Sequence, residues 1–449
     1  MNKAFTAHKL LELAWKQRRV LQNITRKFHY SRTAFYYNTF NAAFADAEEP
    51  EQYLGQCSLY PVLLGDTIQD ERYKILHKLG VGTCYTAWAV RDRSLVFREN
   101  KYVALKICAI LEGQRQEAKV MRALAASHRE HPRTQHVIQM LDLFKIAGPK
   151  GQHDCFVFEL HGQDVGEYFE SRFSRLPDSV AKRISKEALQ ALDYLHKRGI
   201  VHGDLRTGTM AFTLPAMDHL GEEEFCEALG GINTSELLRL DGKPLDPGIP
   251  KYIVEPARFP ESLDMPLRPI KIIDFGEAFL SNEKPPERLN VERIATVQAI
   301  VQAPEVTFGD PLDHRMDLWS MGALLYELIN GQRMFRLECK TDRGQLIETL
   351  DIISGEIPER WWQAMKKQKR MFGEEDYVEE YHRIYENTVA HELRKSYFNE
   401  HYDEDETDVF SMKDINRVSE LIERLMQLEP SKRASAAEIL ADPWWDDVP

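Results

Sequence analysis

Between Tyr73 and Glu159 apolar residues recur in short alternating runs, the period of half-buried strands. The clearest are residues 102–107 (Tyr-Val-Ala-Leu-Lys-Ile) and 155–159 (Cys-Phe-Val-Phe-Glu). Between them, residues 114–126 have helical composition. Beyond Gly162 the period lengthens. Ile184, Ala188, Ala191, Leu192 and Leu195 fall on one face of a helix predicted over 180–195. A further helix is predicted over 317–329, stopped by Asn330-Gly331, with others after 345 and around 415–428. The pattern holds no internal repeat. It predicts an α+β chain: a small strand-rich lobe over 66–160, a hinge near 159–164, and a larger, mainly helical lobe over 161–449.

Two segments stand apart from this periodicity. Residues 213–268 are polar and rich in turn residues, as in Asp241-Gly242-Lys243-Pro244, and read as an insertion rather than core. Residues 1–65 read as a basic arm followed, from 41, by an irregular lead-in. Within the first 40 residues Lys3, Lys9, Lys16, Arg18, Arg19, Arg26, Lys27 and Arg32 face a single acid, Glu12. Such a start suits either a mitochondrial presequence or an arm that contacts the body of the protein.

At 449 residues the chain is too long for one compact core and suits two lobes. Its net charge of −13 argues against general nucleic-acid binding and is compatible with basic protein partners. The acidic run 403–406 reads as a solvated loop. No apolar stretch approaches the ~20 residues of a membrane span. The six cysteines form no C-x-x-C pair, which points to reduced thiols in an intracellular compartment, cytoplasm or nucleus, and away from zinc.

Candidate chemistry concentrates in two triplets: His202-Gly203-Asp204 after the predicted helix, and Asp274-Phe275-Gly276 after the apolar run 270–273. Phosphoryl transfer needs one carboxylate to orient the attacking hydroxyl and another to hold the magnesium that bridges the phosphates of ATP. Upstream, Leu79-Gly80-Val81-Gly82-Thr83 offers glycines two apart, where a backbone turn can pass close over phosphates. Lys106 follows in a strand, suited to grip the phosphates. Glu117 is the candidate ion-pair partner of Lys106, with Glu112 as competitor; Val120 and Leu124 share the helical side of Glu117.

This succession resembles the protein kinases from about Tyr73 to Trp445. Ala303-Pro304-Glu305 is similar to the motif that closes their activation segment. Asp317-Leu318-Trp319 resembles the helix that anchors their catalytic loop, and Arg433 matches the arginine that pairs with the motif's glutamate. Phe156-Val157-Phe158-Glu159 and the long insertion resemble the SR-protein kinases, especially divergent fungal members. The resemblance implies a bilobal, protein-kinase-like α+β fold and a monomer. It implies Mg2+ and ATP, with a nucleotide site formed by Leu79, Gly80, Val81, Gly82, Thr83, Ala87, Ala104, Lys106, Glu117, Phe158, Glu159 and His161. Phe158 stands as gatekeeper, and the peptide groups of 159–161 face the base. Asp204 and Arg206 become the catalytic pair, Asp274 and Thr209 the metal ligands. Serines in arginine- and serine-rich proteins are the implied acceptors.

The chain also departs from the family pattern. Thr209 replaces a metal-binding asparagine, and Arg206 replaces a lysine. Tyr85 stands where glycine or serine is usual, Cys84 at the aromatic tip, Ala87 where valine covers adenine, and Gln302 for an arginine. Gly203 replaces the arginine that holds a phosphorylated loop, which argues for competence without loop phosphorylation at sites such as Ser281 or Thr296. Two other readings follow: a pseudokinase scaffold, and a small-molecule kinase of the aminoglycoside and choline type. The latter lacks the Ala-Pro-Glu element and its arginine.

Overall fold

The structure, a computed structural model, describes residues 50–54, 58–82, 84–94, 101–110, 115–127, 135–172, 175–239, 241–285, 302–335, 353, 357–367, 388–400 and 409–448. The basic arm, Thr83, Glu112, Thr296 and the run 403–406 lie outside these residues.

The first lobe is an antiparallel sheet ordered β1-β2-β3-β4-β6-β5. Its strands are β1 (Thr67–Ile68), β2 (Tyr73–Gly82), β3 (Tyr85–Asp92), β4 (Tyr102–Cys108), β5 (Met140–Ala147) and β6 (Gln152–Glu159). All of β4 is buried, because it is central and covered on both faces. Val103, Leu105 and Ile107 join Ile75, Trp88 and Val157 in one core cluster. The alternate face carries Ala104, Lys106 and Cys108 toward the helix Arg115–Ser127, whose Val120 and Leu124 are buried. Each such side chain, fully buried, contributes roughly 1.5–3 kcal/mol.

The second lobe is built on two buried helices. In Asp178–Lys197 the predicted face of Ile184, Ala188, Ala191, Leu192 and Leu195 is wholly inaccessible. Nearly all of Arg315–Asn330 is buried. Gly331 ends it in the left-handed conformation (φ 72°), its N–H donating to Glu327 O at 2.8 Å. The helix Met412–Leu425 packs on the same core. Gly322 permits this close approach, since an added Cβ would stand 2.3 Å from Met426. Short strands frame the lobe junction: β7 (His161–Asp164), β9 (Met210–Thr213) and β12 (Ile270–Ile272) form a sheet ordered β12-β9-β7, and β8 (Ile200–Val201) pairs with β13 (Phe279–Leu280).

The insertion differs from its reading as a segment outside the core. It holds a helix, Glu222–Ala228, and a hairpin of β10 (Thr234–Glu236) and β11 (Tyr252–Val254). Phe225 and Leu229 are fully buried with Leu76, Ala89 and Tyr102 of the first lobe. Ala257 N–H donates to Lys78 O at 2.8 Å, and the Tyr252 hydroxyl accepts from Leu64 N–H at 3.0 Å. The turn residues that mark it as a loop in sequence lie mostly between its two strands. Its apolar residues are too sparse to show a period, yet they complete the outer face of the sheet.

Candidate active site

The β2–β3 hairpin arches over a cleft of ≈ 730 Å3 between the lobes, bounded by Leu79, Gly80, Val81, Ala87, Ala104, Phe158 and His161. Such a volume and mixed lining suit a small-molecule ligand. No Cβ contact lies within 4 Å at Gly80, so the backbone there is open to a close approach.

Lys106 anchors the floor. Its ammonium donates to Glu117 Oε1 at 2.7 Å and to Asp274 Oδ1 at 3.0 Å. Burial alone would lower its pKa, yet Asp274 and Glu117 together drive it well above the ordinary lysine value. Burial likewise opposes ionisation of Asp274, but the Lys106 cation, with His202 and Arg206 behind it, lowers its carboxyl to about 2. Asp274 itself sits in the left-handed region (φ 58°).

The segment from β8 to β9 carries the other triplet. Asp317 fixes it by accepting from His202 N–H and Gly203 N–H, both at 2.8 Å. The His202 ring pairs with Ile273 O at 3.1 Å, tying this loop to the residue between β12 and Asp274. Arg206 Nε donates to Asp204 Oδ2 at 3.5 Å. Burial would lower the Arg206 pKa, but Asp204, Asp274 and Asp164 outweigh it and raise it. The guanidinium thus links the two aspartates electrostatically. Lys106 and Asp274 meet directly, and Asp204 joins them through Arg206.

Thr209 is placed differently from its expected role. It is fully buried, its hydroxyl accepting from Arg206 N–H at 3.0 Å and lying 3.0 Å from the carbonyls of Asp204 and Arg206. That oxygen staples the loop and is absent from the cleft lining. Asp274, anionic and lining the cleft, fits a magnesium ligand, whereas the Thr209 hydroxyl is engaged within its own loop. The Glu159 N–H is also committed, donating to Gln139 O at 3.1 Å, while its carboxylate holds Lys271 at 2.7 Å. Asp164, Glu167 and residues 255–259 line the cleft without having been singled out in sequence. Nothing in their spacing marks them, and 255–259 reach the cleft through the insertion's packing on the sheet.

Elsewhere the second lobe closes on itself as the motif spacing requires, with Arg433 donating to Glu305 at 2.6 Å. Among the described residues no group of three or more His, Cys, Asp or Glu could hold a metal, Cys108, Cys155 and Cys226 are free thiols, and no helix is long and apolar enough to cross a membrane.

A sheet lobe and a helical lobe, with a lysine held between two carboxylates in the cleft joining them, define a protein kinase. The family model described as "Protein kinase domain" matches residues 73–209 and 262–445, breaking at the insertion, and the chain belongs to that family. It is 26% identical over 401 residues to a serine/threonine protein kinase of Aspergillus fumigatus, covering 86% of this chain and 87% of the relative. It is 26% identical over 411 residues to the serine/threonine-protein kinase SRPK of Physarum polycephalum, covering 87% and 89%. SRSF protein kinase 3 of Mus musculus is 32% identical over 170 residues, 36% of this chain and 29% of that protein.

Proposed function

We propose that this protein kinase transfers phosphoryl groups from Mg·ATP to serine or threonine hydroxyls of arginine- and serine-rich proteins. The observation that carries the reading is the Lys106 ammonium held between Glu117 and Asp274 at 2.7 and 3.0 Å. A cation so placed is positioned to neutralise polyphosphate charge. Asp204 orients the acceptor hydroxyl, and Arg206 keeps a positive charge beside it. Magnesium, when bound, screens the charge on the phosphates; Asp274 is the residue that would hold it. The names of the relatives, SRPK and SRSF protein kinase 3, favour the substrate class.

The test is radiolabelled transfer from ATP to an Arg-Ser repeat peptide and to a lysine-rich control. Asp204→Ala is expected to lower transfer by roughly 10²–10⁴-fold, the range of general acid–base groups. Transfer that survives Asp204→Ala undiminished would discard the assignment. A second reading, a nucleotide-binding scaffold without turnover, draws support from Thr209, whose hydroxyl is spent inside its own loop. It is the better account if magnesium-dependent nucleotide binding occurs with no transfer.

A further inference from the structure

Tyr85 begins β3 opposite Gly82. Its ring lies directly beneath that glycine: a Cβ added to Gly82 would stand 2.4, 2.7 and 2.8 Å from three ring carbons. The ring's face receives the Lys106 ammonium, 4.4 Å from the centroid. Its hydroxyl donates to Asp274 Oδ2 at 3.4 Å. One phenol therefore touches the glycine turn, the lysine and the aspartate, the three groups that the kinase reading assigns to polyphosphate and metal. A ring and a polyphosphate cannot occupy that volume together.

We propose that Tyr85 sets access to the polyphosphate end of the cleft, closing it until the side chain swings out and leaving the base end, between Leu79, Ala104 and Phe158, open. This deepens the nucleotide-binding reading and rests on it. Asp274 and Lys106 gain a hydrogen bond and a cation–π contact in place of phosphate, which holds the closed arrangement without a ligand. The consequence is selectivity by phosphate content. A nucleoside meets the resting cleft as it stands, whereas a nucleoside triphosphate binds only the fraction of molecules whose ring has left.

Calorimetric titration of the full chain with adenosine and with Mg·ATP tests this on the wild type, Tyr85→Ser, Tyr85→Ala and Tyr85→Phe. Adenosine affinity is expected to stay the same in all four, which also reports that each variant is folded. Mg·ATP should bind Tyr85→Ser and Tyr85→Ala at least about tenfold more tightly, the gain for an open fraction of a tenth or less. Tyr85→Phe should remain near wild type, since it keeps the ring. Unchanged or weaker Mg·ATP binding by both small variants, with adenosine binding intact, overturns the proposal and would make Tyr85 a phosphate ligand or a bystander. Equal tightening by Tyr85→Phe also overturns it, because the hydroxyl would then be the barrier. Absence of all nucleotide binding in every variant defeats the nucleotide reading and this proposal together.

Discussion

Arg433 and Glu305 meet in a two-armed ion pair, Nη1 to Oε1 at 2.6 Å and Nη2 to Oε2 at 2.7 Å, with side-chain exposures of 0% and 3%. Arg433 also donates to Gln427 O and Arg315 O and lies over the Trp319 ring. It therefore joins the helix Pro304–Phe308 to the start of Arg315–Asn330, the helix whose Asp317 fixes the catalytic loop. Removing one partner strands a buried charge, so Arg433→Ala should cost about 3–5 kcal/mol in urea unfolding. The double change Arg433→Met with Glu305→Leu should recover part of that loss, since no charge is then left unpaired. An Arg433→Ala chain as stable as wild type would show that the pair contributes nothing net.

Gly203 leaves no cation where an arginine would hold a loop phosphate. Its φ is +78°, and a Cβ would stand 2.7 Å from the carbonyl oxygen of Glu277. An arginine cannot be restored at this site without strain, on the order of 1–3 kcal/mol for the backbone alone. Gly203→Arg is expected to lower stability and phosphoryl transfer together. Phosphatase treatment of wild-type protein should leave its transfer rate unchanged, because no cation stands at 203 to hold a loop phosphate. A large loss of rate after phosphatase would overturn that expectation.

Much of this was legible in the chain because catalysis leaves fixed spacings. Lys106 lies 11 residues from Glu117 and 168 from Asp274; motif order pointed to Lys106 and Asp274, and the helical side shared with Val120 and Leu124 pointed to Glu117 rather than Glu112. The helical face of Ile184 to Leu195 was equally plain, since a buried stripe must repeat at 3.6 residues. The engagement of the Thr209 hydroxyl within its own loop was not legible, because residue type cannot tell a hydroxyl aimed at the cleft from one aimed at its own backbone. Tyr85 read only as a departure from pattern; its consequence depends on which way a side chain under Gly82 points. Residues 255–259 carry no periodic signal and reach the cleft through the insertion's packing on the sheet.

Lys78 gives the stability a pH dependence. It is buried on β2 beside the Trp88 ring, and burial pushes its pKa down from 10.5 to about 7. Between those two values the unfolded chain binds more protons than the folded one, so stability rises with pH. The slope contributed by one such group is at most about 1.4 kcal/mol per pH unit. Urea unfolding from about pH 7.5 to about 9.5, below the range where tyrosines ionise, should show this rise in wild type and lose it in Lys78→Met. Lys78→Met should also be the more stable chain at neutral pH, where the wild type bears the full cost of burying the amine. Parallel curves for the two proteins would place the lysine in a better-solvated environment than its burial indicates.

The insertion spans both lobes, and Phe225 is its main anchor on the first. Its ring stacks on Tyr102 with centroids 3.9 Å apart, and it is fully buried. Around it Glu222 pairs with Lys74 and Arg91, and Asp218 accepts from Lys101 N–H at 2.6 Å. On the other lobe Arg183 of the helix Asp178–Lys197 holds Pro266 O at 2.5 Å. Because Ala257 and Phe259 line the cleft between these two moorings, freeing one of them should reach the ligand site. Phe225→Ala is expected to cost about 3–5 kcal/mol, as buried aromatic truncations do. Hydrogen exchange should speed up across 222–229 and 252–259 well before the helical lobe loses protection, and nucleotide affinity should fall in step. If Phe225→Ala lowers stability uniformly, with exchange in the insertion no faster than in the helix Arg315–Asn330, the insertion folds as one cooperative unit with the rest and does not act as a separable strap.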